Sequence, residues 1–172
     1  MNFDLQPILE NDLVRLRPLL SEDFDLLYKV ASDQLVWEQH PDNKRYTLSG
    51  FTNFFNESIA SKGAIVIIEK QSGNVIGSSR FNLVPKYKEA VEIGWTFLSR
   101  AYWGGKFNSV CKQLMMNYAF QFVNEIVFFV DKNNIRSQKA VEKLSSLNKN
   151  KLTIEQSSEN RGNDLVYRIA KA

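Results

Sequence analysis

The chain has 172 residues, of which 44% are hydrophobic and 24% are charged, and this composition excludes a disordered or fibrous protein. Its 22 basic and 19 acidic residues give a net charge of +3, with no cluster of lysine and arginine. This distribution argues against a nucleic-acid-binding protein. The length predicts one domain over residues 1–172.

Several further features favour a soluble protein in a reducing compartment. The first ten residues include Asp4 and Glu10 and have no apolar core, so we expect no signal peptide. No apolar run reaches the length of a membrane span, and we expect no membrane partner. Because Cys111 is the only cysteine, an intramolecular disulfide and a cysteine zinc site are both excluded. The sequence therefore predicts a cytoplasmic protein, and a monomer and a homodimer both stay open.

The first predicted strand and helix precede a long polar stretch. Leu13 to Leu19 alternates apolar and basic side chains, which predicts a strand that ends at Pro18. Ser21 is the expected N-cap of a helix that runs to about Ser32.

A second amphipathic helix and a hairpin follow. The helix begins near Thr47 or Ser49 and places four apolar side chains on one side, namely Phe51, Phe54, Phe55 and Ile59. Two β-rich runs, Ala64 to Glu69 and Val75 to Asn82, flank a short polar connection that contains Gly73. This arrangement is typical of a β-hairpin.

A strand, a turn with two glycines and a helix form the centre of the predicted fold. The strand from Ala90 to Leu98 alternates, so two faces are expected, with Val91, Ile93, Trp95 and Phe97 on one and Glu92, Gly94 and Thr96 on the other. Gly104 and Gly105 precede a helix from about Asn108 to Phe122. The unbroken apolar run Ile126 to Val130 predicts a strand covered on both faces, as in parallel pairing.

The last elements are a helix from Asn134 to Leu144 and two strands, Leu152 to Gln156 and Leu165 to Ala170, which polar residues 157–164 connect. The predicted order is therefore β-α-α-β-β-β-α-β-α-β-β. This order indicates an α+β fold with a strand–loop–helix unit at its centre.

The turn at Gly104 and Gly105 carries the clearest chemical signal. The first backbone N–H groups of a helix have no partner within the helix. Together with the helix dipole they attract an anion, which glycines allow to approach closely. A tight turn without any ligand explains the same residues equally well. The segment is not the phosphate loop of nucleotide hydrolases, because Phe107 follows Lys106, and the dinucleotide fingerprint is absent.

Three segments follow one another in an order that a known family shares. They are Glu92-Ile93-Gly94-Trp95, then Tyr102-Trp103-Gly104-Gly105-Lys106-Phe107-Asn108-Ser109, and then Asp131-Lys132-Asn133-Asn134-Ile135-Arg136-Ser137-Gln138-Lys139-Ala140-Val141-Glu142-Lys143-Leu144. With the order of elements from about Leu13 onward, they resemble the GNAT superfamily of acetyltransferases, in the branch that includes the RimJ and RimL acetylases of ribosomal-protein N termini.

The resemblance implies both an architecture and a reaction. The implied fold is α+β, with a mixed, mostly antiparallel central sheet that contains a splayed parallel strand pair and is flanked by helices. The implied reaction moves an acetyl group from acetyl-coenzyme A to a primary amine, on a protein N terminus or a small molecule. The amine attacks directly within a ternary complex, without a covalent enzyme intermediate.

The resemblance also implies the residues that hold the cofactor. The backbone of Thr96, Phe97 and Leu98 would pair with the pantetheine arm between the splayed strands, and one N–H group there would polarise the thioester carbonyl. The pyrophosphate would lie against the turn and the helix start, that is, Gly104, Gly105, Lys106, Phe107, Asn108 and Ser109. Asn134 would hydrogen-bond the arm, although a plain N-cap explains this residue as well.

Two catalytic roles follow from the same resemblance. Glu92 is the candidate base that removes a proton from the amine, directly or through water. The alternative for Glu92 is a partly buried carboxylate paired with Arg80 or Lys88. Many relatives protonate the departing thiolate with a tyrosine at the position of Val141, so Ser137 becomes the candidate acid, against the alternative of a capping serine.

The sequence departs from the family pattern at three positions. Lys106 stands where the pyrophosphate loop has its second glycine, and Ser145 stands where the glycine cap of the last helix is expected. With Val141, these departures motivate a second hypothesis, a catalytically impaired module that binds acyl-coenzyme A. A third hypothesis, a small nucleic-acid-binding domain, rests only on the pI of about 8.9.

Other chemistry-bearing residues receive structural interpretations. His40 is the only histidine, so no metal site is expected, and His40-Pro41 is assigned to the loop that lines the acceptor cleft. Cys111 lies on an apolar helix face and is interpreted as a packing residue. The aromatic residues of the second helical region are interpreted as core with some members on the cleft wall, namely Trp37, Tyr46, Phe51, Phe54 and Phe55.

Overall fold

The computed structural model describes residues 3–87, 89–157 and 163–171. These residues form eight strands, β1 Leu9–Glu10, β2 Val14–Pro18, β3 Ala64–Glu69, β4 Val75–Leu83, β5 Ala90–Leu98, β6 Glu125–Asp131, β7 Lys151–Gln156 and β8 Asp164–Ala170. They also form four α-helices, α1 Phe24–Ala31, α2 Leu48–Ala60, α3 Phe107–Ala119 and α4 Ile135–Asn148. Within these ranges, no helix combines the length and apolarity that crossing a membrane requires.

All eight strands belong to one sheet, in the order β1-β2-β3-β4-β5-β6-β8-β7. Neighbouring strands run antiparallel except β5 and β6, which are parallel. Their pairing covers only Ala90 to Glu92 against Glu125 to Val127, although both strands continue beyond it. The predicted architecture is therefore confirmed: a mixed, mostly antiparallel sheet with a splayed parallel pair, flanked by helices. We call the opening between β5 and β6 the wedge.

The helices cover the two faces of the sheet in pairs. On one face, residues of α3 and α4 pack with the buried residues of the central strands, as in the cluster of Met115, Val141, Ile93 and Phe128. On the other face, residues of α1 and α2 pack with β3 and β5, as in the cluster of Leu27, Phe51, Phe54, Val66 and Phe97. The wedge therefore opens toward a helical layer on each side.

Helix α2 illustrates how the sequence specifies one of these layers. The Thr47 side chain accepts a hydrogen bond from the Gly50 N–H at 3.1 Å and caps the helix, as one of the two predicted starts requires. The helical spacing of Phe51, Phe54 and Phe55 places all three rings in the core.

A stability prediction follows from this packing. Phe51 is fully buried and packs its ring against Phe24 and Tyr28, whereas Leu48 on the same helix is 58% exposed. We expect Phe51→Ala to lower the free energy of unfolding by about 3–5 kcal/mol, because it leaves a cavity. Leu48→Ala is the matched control and should change it by less than ~0.5 kcal/mol. Urea denaturation measures both, and equal effects of the two substitutions would contradict this account.

Strand β5 does not alternate along its whole length. The register with β4 shifts between Ser78 and Arg80, and Trp95 on β5 has a positive φ of 51°. Such a β-bulge adds one residue and reverses the side-chain alternation beyond it. Trp95 and Phe97 consequently pack on the face of α1 and α2, whereas Val91 and Ile93 pack on the face of α3 and α4. The prediction that these four residues share a face was wrong from Trp95 onward.

Two helix ends also differ from the expectations. Asp23, not Ser21, supplies the first cap, because its carboxylate accepts a hydrogen bond from the Leu20 N–H at 2.9 Å. Helix α4 continues past Ser145, whose hydroxyl donates to the Asn150 carbonyl at 2.8 Å. The left-handed cap position is taken by Lys149, with a φ of 55°. The missing glycine at position 145 thus lengthens the helix by about one turn.

Candidate active site

A cavity of about 570 Å³ lies where β5, β6, α3 and α4 meet the segment 36–45. Most of the residues with a predicted role line it, namely Glu92, Thr96, Phe97, Leu98, Gly104, Gly105, Asn108, Ser109, Asn134 and Ser137. Lys106 and Phe107 do not: Lys106 is exposed, and Phe107 packs its ring against Tyr102 at 4.8 Å. The lysine at the second glycine position therefore does not fill the cavity.

The turn before α3 leaves room for a ligand at its glycines. Gly104 has a left-handed φ of 69°, which glycine adopts without strain. A side-chain carbon built at Gly104 or Gly105 meets no atom within 4 Å. No side chain caps the start of α3 at Lys106, so its first backbone N–H groups are not taken by a capping group. The turn therefore has the geometry of an anion site.

The backbone of β5 offers hydrogen-bonding groups to the wedge. The Ser99 N–H donates to the Ile76 carbonyl at 2.8 Å, so alternation directs the backbone groups of Phe97 toward β4 and those of Thr96 and Leu98 toward the wedge. The Leu98 carbonyl accepts a hydrogen bond from Trp103 Nε1 at 2.9 Å. Phe97 instead places its ring against Trp37, with ring centroids 4.8 Å apart.

Glu92 is buried at the closed end of the wedge. It is the last residue of β5 that pairs with β6, and it is 2% exposed. Asn82 Nδ2 donates to its Oε2 at 2.9 Å. Arg80, one of the two partners that the sequence suggested, instead donates to Ser58 Oγ at 2.6 Å and lies over the Trp95 ring at 4.3 Å. The second suggested partner of Glu92, Lys88, lies outside the described residues.

Asn134 and Ser137 meet at the start of α4. Asn134 is 9% exposed, and its Oδ1 accepts a hydrogen bond from the Ser137 N–H at 3.2 Å. Asn134 is thus the N-cap of α4, one of the two roles that the sequence allowed. Its Nδ2 group is the part of the side chain that can donate a hydrogen bond to a ligand. Val141, at the position of the family's tyrosine, is buried and also lines the cavity.

The opposite wall of the cavity comes from the segment before α2. Trp37, His40, Pro41 and Arg45 line it, as expected for His40-Pro41. Burial and the nearby Arg45 guanidinium lower the pKa of His40 to about 4, so this imidazole is neutral at neutral pH. Across the described parts of the chain, no group of three or more potential metal-ligating side chains occurs.

Lys112 also lines the cavity, and the sequence motifs do not point to it. Its Nζ donates to Thr96 Oγ1 inside the cavity, its residue is 6% exposed, and burial lowers its pKa to about 7. The signal was present in the helical spacing. The buried positions of α3 are Cys111, Lys112, Met115, Met116 and Ala119, so a lysine occupies a position that the periodicity reserves for an apolar residue. Cys111 itself is buried, which raises its thiol pKa to about 12 and agrees with a packing role.

Solved structures of other proteins share the fold of this chain. A protein of the GNAT family from Bacillus anthracis has a similar structure, with a TM-score of 0.75 and 18% identity over 95% of this chain and 98% of that one. A proposed ribosomal-protein-serine acetyltransferase from Vibrio cholerae matches with a TM-score of 0.75 and 12% identity, over 98% of this chain and all of its own. A spermidine N-acetyltransferase from Vibrio cholerae, in complex with CoA and spermine, matches with a TM-score of 0.64 and 16% identity, over 92% and 95%.

At these identities the structures share the fold. The family model described as "Acetyltransferase (GNAT) domain" matches residues 14–145, which is most of the chain and includes β5, the glycine turn, α3 and most of α4. The chain therefore belongs to the GNAT family of acetyltransferases.

Proposed function

We propose that this protein transfers the acetyl group of acetyl-coenzyme A to a primary amine, which attacks directly within a ternary complex. One observation carries the proposal: a single cavity connects the open glycine turn at the start of α3 with the buried carboxylate of Glu92, by way of the wedge. A long ligand with an anionic middle and a reactive end fits such a path.

The residues of this path suit the parts of coenzyme A. The turn at Gly104 and Gly105, with the N–H groups of Asn108 and Ser109, would hold the pyrophosphate. The backbone groups of Thr96 and Leu98 that face the wedge would bond the pantetheine arm, with Asn134 Nδ2 as a further donor. Phe97 contributes a wall rather than backbone hydrogen bonds, because its own groups are directed toward β4. Lys106 and Phe107 would act through their backbone only.

Glu92 would supply the base. A primary amine has a pKa near ~10 and is protonated at neutral pH, so it must lose a proton before it attacks. Glu92 lies on the face of the sheet that also carries Trp95 and the acceptor wall of Trp37 and His40. It can remove that proton directly or through water. A backbone N–H in the wedge would stabilise the negative charge that develops on the carbonyl oxygen, and Ser137 is the proton donor that the sequence suggests for the thiolate.

The acceptor is proposed as a small-molecule amine or a protein N terminus, in a RimJ/RimL-like branch of the family. The spermidine N-acetyltransferase among the similar structures supports an amine, and the proposed ribosomal-protein-serine acetyltransferase supports a protein. We also propose that the protein is one domain, acts in the cytoplasm as a monomer or homodimer, and uses no metal.

Two measurements test the proposal. Coenzyme A at about 100 times its dissociation constant should stabilise the fold by ~2.7 kcal/mol, which raises the melting temperature by roughly 5–10 °C for a chain of this size. Release of free thiol from acetyl-coenzyme A should then depend on an added amine, in a panel of peptides, polyamines and amino sugars. The absence of a melting shift at millimolar coenzyme A would refute the proposal. A shift without thiol release would favour the impaired binding module, which the buried Val141 motivates.

A further inference from the structure

Lys112 is a buried cation that the proposed chemistry has not yet used. It projects from the middle of α3, and no ion pair reaches it within residues 3–87, 89–157 and 163–171. Its Nζ donates to Thr96 Oγ1 and lies 5.3 Å from the centre of the Phe128 ring. Burial of an unpaired ammonium group is costly, so a lysine at this position requires an explanation other than stability.

The position of Lys112 relative to the wedge supplies that explanation. Pairing of β5 and β6 ends at Glu92 and Val127, and Phe128 is the next residue of β6. Lys112 thus bridges the wedge just beyond its closed end, from Thr96 on one strand to Phe128 on the other. It approaches from the face of α3 and α4, whereas Glu92 belongs to the opposite face of β5. The two groups flank the place where a thioester in the wedge would react.

The electrostatic surroundings allow Lys112 to exchange a proton near neutral pH. Burial lowers its pKa to about 7, and its neighbour Cys111, with a pKa raised to about 12, stays neutral. The other charged groups that line the cavity are Glu92 on β5, Asp131 on β6, Asp164 on β8, and Arg136, Lys139 and Lys143 on or beside α4, with Arg45 and His40 on the far wall.

We propose that Lys112 is the general acid of the acetyl transfer, a role that rests on the proposed function and replaces Ser137. The amine nitrogen forms a bond to the acetyl carbon while the carbon–sulfur bond breaks, and Lys112 Nζ gives a proton to the departing sulfur. The protonated amine loses two protons in one turnover. One of these protons restores the proton that Lys112 gave to the thiol, and the other passes to solvent.

Lys112→Met tests this assignment. We expect kcat to fall about 10- to 100-fold, at or below the lower limit of what general acid catalysis usually contributes, because a thiolate leaves more readily than stronger bases. The Michaelis constant for acetyl-coenzyme A and the melting shift with coenzyme A should stay within about twofold. The variant itself should melt at the same or a higher temperature, since an apolar side chain replaces a buried cation. Lys29→Met, on the exposed side of α1, is the matched control and should match the wild type.

The pH profile separates an acid from a structural residue. Wild-type kcat should fall as the pH rises above about 7, where Lys112 loses its proton, and this alkaline decline should be absent in Lys112→Met. Lys112→Arg should keep a positive charge across this pH range, so its kcat should show no alkaline decline.

Three outcomes overturn the assignment. One is unchanged kcat in Lys112→Met beside an active wild type, and another is a loss confined to coenzyme A binding. The third is an acetyl group, +42 Da by mass, on Lys112 itself, which would make it a nucleophile. A wild type that neither binds coenzyme A nor releases thiol would refute the proposed function as well.

Discussion

Glu92→Gln should lower kcat by about 1,000-fold at neutral pH, within the range that a positioned general base contributes. Glutamine keeps the size of the side chain and can still accept the hydrogen bond from Asn82 Nδ2. The amide cannot take a proton from the amine, which remains protonated at neutral pH. The melting shift with coenzyme A should be unchanged, because Glu92 lies at the end of the wedge farthest from the glycine turn.

The pH dependence of this variant makes the test sharper. Relative to the wild type at the same pH, the rate of Glu92→Gln should rise toward pH ~10, where free amine becomes abundant without a base, so that its deficit narrows. Both enzymes keep Lys112 and therefore share its alkaline decline. Glu142→Gln, an exposed carboxylate on α4, is the control and should match the wild type in both measurements. A Glu92→Gln enzyme with the wild-type rate would remove Glu92 from the mechanism and leave the cofactor site intact.

Gly105→Glu should weaken binding of acetyl-coenzyme A by about 100-fold. A Cβ atom at Gly105 would meet no protein atom within 4 Å, so the backbone there can carry a side chain, and the residue lines the cavity. A carboxylate ~6 Å from one phosphate charge costs roughly 3 kcal/mol at an effective dielectric constant of ~20. The effect should appear in the dissociation constant from calorimetry, with little change in melting temperature without ligand.

Gly105→Gln separates charge from size in this experiment. It adds the same number of atoms without the charge, and we expect it to retain most of the affinity. Added salt should restore part of the binding to Gly105→Glu, since ions screen exposed charges. Equal losses in the two variants would show that the turn excludes bulk and would argue against an anion at this position.

The architecture was largely predictable because it depends on local patterns. The alternation in β2, the polar hairpin after Glu69 and the apolar run of β6 each define one element without knowledge of the others. The order of these elements indicated the α+β class, and the resemblance of three motifs to the GNAT superfamily implied the sheet with its splayed parallel pair. Burial of Phe51 and Phe54 followed from helical spacing alone.

The details of the site were less predictable because they depend on tertiary contacts. Nothing near Trp95 in the sequence marks the positive φ that places Phe97 against Trp37. Asn134 matched a cap and a ligand contact equally, and only the structure shows which of its atoms is already engaged. The sequence motifs do not mark Lys112, because a single lysine among the apolar residues of a helix has no recognisable pattern. Its position in the cavity depends on contacts with Thr96 and Phe128, which lie far from it in the chain.

The β-bulge at Trp95 also determines on which faces of the sheet Glu92 and Thr96 lie. Thr96 is the fourth residue after Glu92, so a regular strand would place both side chains on one face, whereas the bulge directs Thr96 to the side of the sheet from which Lys112 approaches. If Trp95 instead adopted a regular extended conformation, alternation would place the hydroxyl of Thr96 on the same face as Glu92 and away from that amine, although no side chain would change. The backbone conformation of one residue, Trp95, thus places Glu92 and Thr96, the hydrogen-bond partner of Lys112, on opposite faces of the sheet.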